Sequence, residues 1–161
     1  MNKLLILSGA VLLFAASCNT RPAAGENDRN DQQIEVQDEQ NVPYTVAKRY
    51  FVKNTVGDFD TVRIADKAEF EKYFGMAAVM GEDGLPTTID FEKQFVIPVV
   101  LPETNFDVEI LPVSLKNNGR GELVFNYRVD TLREMSFTRR PLLLIVADKD
   151  YDTGKVVVEK D

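Results

Sequence analysis

The amino-acid sequence predicts an α+β domain over residues 44–161, with a mostly antiparallel curved sheet or partly open barrel and one main packing helix. Two continuous apolar runs, 94–101 and 141–147, are typical of strands that are covered on both faces. Only residues 66–75 combine a helix start signal, helical apolar spacing and a terminal glycine. The chain of 161 residues is 44% hydrophobic and 28% charged, which is the balance of a folded globular domain.

A signal peptide precedes this domain. Residues 1–17 begin with a positive charge at Lys3 and continue with an apolar run over 4–16. A helix that spans a bilayer needs about 20 apolar residues, so this run is too short to do so. Its length and flanks are typical of the apolar region of a secretory signal.

The end of the signal peptide resembles the lipobox of bacterial lipoproteins. Cys18, the one cysteine of the chain, directly follows three small residues, Ala15, Ala16 and Ser17. The resemblance implies cleavage before Cys18 and lipidation of its thiol, which anchors the protein in the cell envelope, at the periplasmic face or the cell surface of a bacterial membrane. Two or three acyl chains attach a protein stably without a transmembrane helix. The alternative is an ordinary cleaved signal, since small residues also satisfy that cleavage rule.

Residues 18–43 are interpreted as the lipidated cysteine and a disordered tether. The segment is rich in Asn, Gln, Asp and Glu, and its sizeable apolar residues are Ile34, Val36 and Val42. So little apolar surface does not offset the entropy of ordering a chain. Alternatively, the acidic residues from Glu26 onward act as a sorting signal read by export machinery.

Composition and charge exclude several functions. The chain has no His and one Cys, so it cannot build a His-based triad, a His-ligated zinc site or a Cys–His pair. No cofactor or metal is expected. The formal net charge of −7 disfavours nucleic acid as a partner. Ser114 or Ser136 with Lys149 could form a catalytic pair, but no motif of a serine enzyme surrounds either serine.

The helix is indicated by local signals. Asp66 is placed as the N-cap, and Glu69 follows three residues later as in a capping box. One apolar face is formed by Phe70, Tyr73 and Phe74. Gly75 is expected to end the helix as its C′ residue.

Strands are expected on both sides of the helix. Residues 44–53 and 60–64 precede it, and 107–115 with 122–130 form a hairpin after it. Residues 155–160 provide the last strand. Pro98, within an apolar run, lacks an N–H and indicates an edge position or a bulge.

A binding site is predicted at one end of the sheet. If the last four long strands form a meander, loops 102–106 and 131–140 share one end, and loops 116–121 and 149–154 share the other. The first end gathers basic, aromatic and hydrogen-bonding residues: Thr104, Asn105, Phe106, Arg133, Ser136, Phe137, Thr138, Arg139 and Arg140. Long loops on rigid sheets often carry function, which favours binding of a peptide or an anion. Alternatively, these arginines are solvated or paired with Glu103 and Glu134.

The other end of the sheet is acidic. Asp148, Asp150 and Asp152 with Glu159 have part of the spacing of an EF-hand loop, but Gly154 stands one place late and the flanks predict strands. An acidic turn is therefore the interpretation, with a weak Ca²⁺ site as the alternative.

The chain from Thr61 onward resembles small bacterial lipoproteins in the segments DKAEFEKYFG, IDFEKQFVIPVVLPET and SFTRRPLLLIV. The order of helix, IDF with an apolar strand, hairpin, and a loop ending in Pro before an apolar strand is similar to the C-terminal domain of the PrcB family of protease-complex proteins. This resemblance implies an accessory envelope domain that contacts other proteins, with no catalytic residues to transfer.

The sequence thus predicts a lipid-anchored cell-envelope binding domain without catalysis. It would contact the membrane through acyl chains on Cys18, and an envelope protein, a peptide or a small polar ligand through the end of the sheet. One alternative is an envelope hydrolase without His, which requires a cleft where a serine or carboxylate meets a base. The other is a small lipocalin-like carrier, which requires an apolar cavity of several hundred Å³.

Overall fold

The computed structural model describes residues 39–81 and 84–161. The signal peptide, Cys18 and most of the expected tether lie outside the described residues. Among the described residues, no helix has the length and hydropathy needed to span a membrane. The elements are β1 (Gln40–Asn41), β2 (Tyr44–Ala47), β3 (Tyr50–Val52), α1 (Lys67–Tyr73), β4 (Phe74–Met76), β5 (Gln94–Val100), β6 (Thr104–Asn117), β7 (Leu123–Arg139), β8 (Leu142–Asp148), a 3-10 turn (Lys149–Tyr151) and β9 (Val156–Lys160).

The described strands form three sheets, with the orders β1-β6-β7-β9, β2-β8-β5 and β3-β4. Every pair is antiparallel except β7 with β9, which run parallel. None of these sheets closes into a barrel. The predicted α+β class with mostly antiparallel sheets is confirmed.

The expected meander of the last four long strands is wrong. β5 pairs with β8 instead of β6, and β9 lies beside β7. The physical reason is burial, because β5 and β8 are apolar on both faces and are buried along almost their whole length. The hairpin of β6 and β7 has four buried side chains, those of Ile110, Leu115, Leu123 and Phe125, and these pack against one face of that central sheet.

Two hydrophobic clusters lie on the two faces of the central sheet. Alternation along β5 sends Phe95 and Ile97 into one cluster, with Leu115 and Phe125 of the hairpin. Val96 enters the other cluster, whose members also include Ile64, Phe70, Phe74, Leu144 and Val146. Phe70 of α1 thus shares a buried cluster with side chains of the central sheet.

The helix begins where the sequence predicts. Asp66 is its N-cap, and Oδ1 of that residue accepts a hydrogen bond of 2.9 Å from the backbone N–H of Glu69. The expected role of Gly75 as a left-handed C′ residue is wrong. Gly75 lies in β4, pairs with Phe51 of β3, and is absent from the glycines with positive φ. Phe74 caps the helix in extended conformation, because the chain passes directly into a strand.

The first predicted strand is divided in two. β2 and β3 belong to different sheets, and Arg49 between them has a φ of 64°, which turns the chain. The short strand expected at 60–64 is reduced to an isolated bridge in which Ile64 and Val96 exchange backbone hydrogen bonds of 2.8 and 2.7 Å. Pro98 lies in β5, which is an edge strand as predicted.

The fold also takes in three residues that the sequence assigned to the tether. β1 pairs Gln40 with Asn117 and Asn41 with Lys116. Val42 is 3% exposed, and its N–H donates to the carbonyl oxygen of Leu115 at 2.8 Å. Backbone pairing and one apolar side chain order this segment, and neither is visible in its polar composition.

Candidate functional site

The predicted site lies on an extension of the β6–β7 hairpin. Residues 104–109 of β6 and 130–139 of β7, here called the β-arm, are exposed or half-buried throughout. β9 pairs with β7 only from Leu123 to Tyr127. Beyond Tyr127, no described strand pairs with the outer edge of β7. The β-arm is therefore a two-stranded ribbon with an open edge.

The expected loop over 131–140 is wrong, because residues 131–139 belong to β7. No glycine or proline interrupts this segment before Pro141, and its Thr, Leu and Phe residues favour strands. The strand is nevertheless irregular at the predicted site. Phe106 pairs with Glu134 and Thr104 pairs with Arg139, so residues 135–138 bulge opposite Asn105 alone. Bulges of this kind redirect side chains and are frequent next to functional sites.

The expected loop 102–106 is also shorter than predicted, because residues 104–106 belong to β6, but the structure brings them together with the end of β7 as the sequence predicts. The hydroxyl oxygen of Thr104 accepts a hydrogen bond of 3.1 Å from the N–H of Phe106. Nδ2 of Asn105 donates to Oε1 of Glu134 at 2.8 Å. The Thr138 hydroxyl donates to the carboxylate of Glu103. The bonds of Asn105 and Thr138 fasten the two sides of the hairpin to each other where the ladder is irregular, whereas that of Thr104 lies within β6.

The arginines of the predicted site go to different places. Nη2 of Arg139 donates to Oδ1 of Asp107 at 2.6 Å and to the carbonyl oxygen of Val108 at 2.7 Å. Nη1 of Arg140 donates to the carbonyl oxygen of Val56, in the segment after β3, at 2.8 Å. Among the described residues, no carboxylate lies within 4.0 Å of the Arg133 guanidinium. The expected pairing with Glu103 and Glu134 is therefore wrong for these arginines, since Asp107 is the acid that Arg139 binds.

Several apolar side chains of the β-arm face solvent. Phe106 is 41% exposed, Phe137 is 61% exposed and Leu132 is 62% exposed. Ser136 is exposed beside Phe137 in the bulge. The arrangement offers aromatic and aliphatic contacts next to an open strand edge.

A polar pocket of about 730 Å³ lies at the base of the β-arm, and sequence reasoning missed half of it. Thr138, Arg139 and Arg140 line it from one side, as members of the predicted site. The other side is formed by β3 and the segment after it, including Tyr50 and Lys53. Lys53 lies far from the arginines in the sequence, so no local signal links it to them.

Two groups of this pocket have fixed hydrogen bonds. Nζ of Lys53 donates to the carbonyl oxygen of Glu71. The hydroxyl of Tyr50 donates to the carbonyl oxygen of Thr87 at 2.7 Å, and burial raises the pKa of Tyr50 above its usual value. The hydrogen-bond partners of Lys53 and Arg140 are carbonyl oxygens, which do not neutralise a cation. The positive charges of these two residues therefore stay available to a ligand.

Two carboxylates of the acidic turn are engaged by other groups of the domain. Oδ1 of Asp148 accepts a hydrogen bond of 3.0 Å from the N–H of Asp150. Asp152 forms an ion pair with Arg63, and its Oδ1 also accepts from the N–H of Gly154 at 2.9 Å. Among the described residues, no group of three or more potential ligands is arranged to hold a metal ion.

The residues of the catalytic pair considered above bind other partners. Nζ of Lys149 donates to the carbonyl oxygen of Phe91 at 2.5 Å. The hydroxyl oxygen of Ser114 accepts a hydrogen bond of 3.3 Å from Nδ2 of Asn126. These hydrogen bonds do not join either serine to Lys149.

Comparisons with protein-family models, with curated proteins and with solved structures each found no match to this chain. The resemblances described from the sequence, to small lipoproteins and to the PrcB family, stay predictions.

Proposed function

We propose that this protein is a lipid-anchored cell-envelope binding module without catalysis, whose β-arm pairs with an extended segment of a partner protein or peptide. The observation that carries the proposal is the open outer edge of β7 beyond Tyr127. An exposed strand edge presents unpaired N–H and C=O groups, and an extended chain can add to them as a further strand.

The direction of the free backbone groups follows from the paired part of β7. The N–H of Leu123 donates to the carbonyl oxygen of Lys155, and the carbonyl oxygen of Tyr127 accepts from the N–H of Asp161, both at 2.9 Å. Both groups therefore point toward β9. Successive residues of a strand point their backbone groups to opposite sides. The N–H and C=O groups of Val129 and Thr131 therefore point to the same side as those of Tyr127, where no described strand pairs with them.

Side chains on the β-arm supply the specificity that backbone pairing lacks. Leu132 and Phe137 are exposed apolar residues that can enter contacts with alternate side chains of an added strand. Charges of both signs accompany them at Asp130, Arg133 and Glu134. Charged residues and bulges on an edge oppose indiscriminate strand pairing, so the edge suits a partner with complementary charges.

The anchor places this module in the cell envelope. The proposal of lipidation is supported by Cys18 as the one cysteine of the chain, by the three small residues before it, and by the short apolar run over 4–16. Attachment at Cys18 would hold the β-arm close to a bacterial membrane, where envelope proteins are its available partners.

The test uses the full chain with the photoreactive residue p-benzoylphenylalanine at position 132. Irradiation of intact cells should give a cross-linked protein adduct. Thr131→Pro removes one outward N–H and leaves the ladder with β6 intact, so it should abolish the adduct. Thr131→Ala keeps the N–H and should retain the adduct.

Thermal unfolding of each variant shows whether the domain still folds. Absence of any adduct, or equal adduct in the folded Pro and Ala variants, would overturn the proposed function.

A further inference from the structure

A second pocket also has Tyr50 in its lining and lies between α1 and the segment 85–92, with a volume of about 720 Å³. This surface is called here the α1 pocket. Its floor consists of packed aromatic rings: the ring centre of Phe70 lies 5.3 Å from those of Tyr50 and Phe91, and 4.9 Å from that of Phe74. Phe70 and Phe74 are buried, so the floor belongs to the hydrophobic core and is rigid.

Two exposed apolar side chains extend the floor toward solvent. Met76 is 65% exposed and Leu85 is 78% exposed, and both line the α1 pocket. Large apolar side chains that border a concave apolar surface indicate a site that another molecule covers.

The rim of the α1 pocket is acidic. Four carboxylates line it, those of Asp66, Glu71, Asp90 and Glu92, against one cation, Lys67. Nζ of Lys67 lies 3.8 Å from Glu71, and Nζ of Lys93, outside the lining, lies 3.9 Å from Asp90, so two of the four charges are offset. Among the described residues, Glu92 has no cation within 4.0 Å. A negative rim around an apolar floor selects a ligand with a positive charge next to an apolar group.

One wall of the α1 pocket is the segment 85–92, in which residues 86–90 belong to no helix or strand. The N–H of Thr87 donates to the carbonyl oxygen of Lys48 at 3.2 Å, which fixes the segment against the domain. The next two N–H groups, those of Thr88 and Ile89, form no hydrogen bond with any other described residue. Backbone donors beside an apolar pocket favour an extended peptide over a small organic cation, because a peptide supplies matching carbonyl groups.

We propose that the α1 pocket binds a segment of a partner polypeptide that carries a large apolar side chain next to a lysine or arginine. The apolar side chain lies on the aromatic floor, the basic side chain lies against Glu92, and the peptide backbone accepts from the N–H groups of Thr88 and Ile89. This inference is independent of the proposed function, since it concerns neither the β-arm nor the anchor.

The test measures binding of a short capped peptide, Gly-Ser-Phe-Lys-Ser-Gly, by NMR chemical-shift changes in the full chain, purified in a nonionic detergent. Shift changes are expected at Thr88, Ile89 and Phe91. Replacing the peptide's Lys by Glu, or its Phe by Ala, should weaken binding about tenfold or more. A detergent sample without protein corrects for uptake of peptide into micelles.

Protein variants locate the site. Glu92→Lys and Leu85→Ser should each weaken binding by a similar factor, and both residues are exposed, so the fold is retained. The matched controls Glu159→Lys and Leu132→Ser change an exposed acid and an exposed apolar residue outside the α1 pocket, and should bind as the wild type does.

Three results would overturn the inference. The first is no shift change at millimolar peptide, and the second is equal binding of the Lys and Glu peptides. The third is equal or tighter binding of phenethylamine, which would make the site one for small cations. None of these results bears on cross-linking at position 132, so failure here is distinguishable from failure of the proposed function.

Discussion

Arg63 and Asp152 join two distant parts of the chain through a forked ion pair. Nε of Arg63 donates to Oδ1 of Asp152 at 2.8 Å, and Nη2 donates to the other carboxylate oxygen. The side chain of Asp152 is only 10% exposed. The same guanidinium lies 5.9 Å from the ring centre of Phe95, in the core of β5. The pair thus fastens the segment before α1 to the turn between β8 and β9.

This ion pair predicts an acid-sensitive contribution to stability. Burial raises the pKa of Asp152, but hydrogen bonds from Arg63 and from the Gly154 N–H, with the charges of Arg63 and Lys149, outweigh burial and leave that pKa below its usual value. In the unfolded chain the pKa of an aspartate is about 3.9, so a lower pKa of Asp152 in the folded state means that its ionised form stabilises the fold. This stabilisation is complete above the unfolded pKa and is lost as the pH falls through the folded pKa.

Asp152→Asn is therefore expected to lower the free energy of unfolding by about 1–3 kcal/mol at neutral pH. The difference from wild type should shrink as pH falls below about 4. Urea unfolding at pH 7 and pH 3 measures both effects. Asp150→Asn, at an exposed neighbour, is the control and should change stability little at either pH. A destabilisation by Asp152→Asn that is the same at both pH values would contradict this account.

Local signals in the sequence predicted the elements better than their pairing. Asp66, Phe70 and Phe74 lie within one short segment, so the helix could be read from cap and spacing alone. β5 pairs with β8, although the whole β6–β7 hairpin lies between them in the sequence. The local composition of either strand therefore does not indicate its partner. Strands that are consecutive in the sequence usually lie side by side, but β5 and β8 pair because both are apolar on both faces and must be buried.

The candidate site was predictable to the same extent. Thr104 and Arg139 were expected at one end of the sheet, and they pair directly. The pocket beside them also needs Lys53, which follows a strand of a different sheet, and no spacing in the sequence connects the two. The open edge of β7 was not predicted either, since residues 131–139 were interpreted as a loop.

The contact between Gly75 and Phe51 gives a second prediction. A Cβ atom added at Gly75 would lie 2.4 Å from Cζ of Phe51, so the ring covers the glycine across the β3–β4 pair. Phe51 is 46% exposed and can swing away, which limits the cost of Gly75→Ala to about 1–2 kcal/mol.

A double-mutant cycle checks whether the ring is the cause. In the background of Phe51→Ala, the same change at Gly75 should cost much less, because no ring remains to be displaced. Free energies of unfolding for the four proteins provide the measurement. An equal cost of Gly75→Ala in both backgrounds would mean that backbone strain, not the ring, limits this position.

Lipidation gives the last prediction, and it concerns Cys18, which lies outside the described residues. Cells supplied with radiolabelled palmitate should label the wild-type protein and leave Cys18→Ser unlabelled, because the thioether-linked chains need the thiol. Ser17→Ala keeps a small residue before the cysteine and should be labelled like the wild type. Since two or three acyl chains hold a protein at the bilayer, Cys18→Ser should also move to the soluble fraction if its signal peptide is cleaved.

Mass spectrometry of the mature N-terminus separates the two interpretations of the signal peptide. A terminus at Cys18 with acyl groups supports the anchor, whereas an unmodified cysteine or a cleavage site elsewhere would show an ordinary secretory signal and remove the membrane from the proposed function.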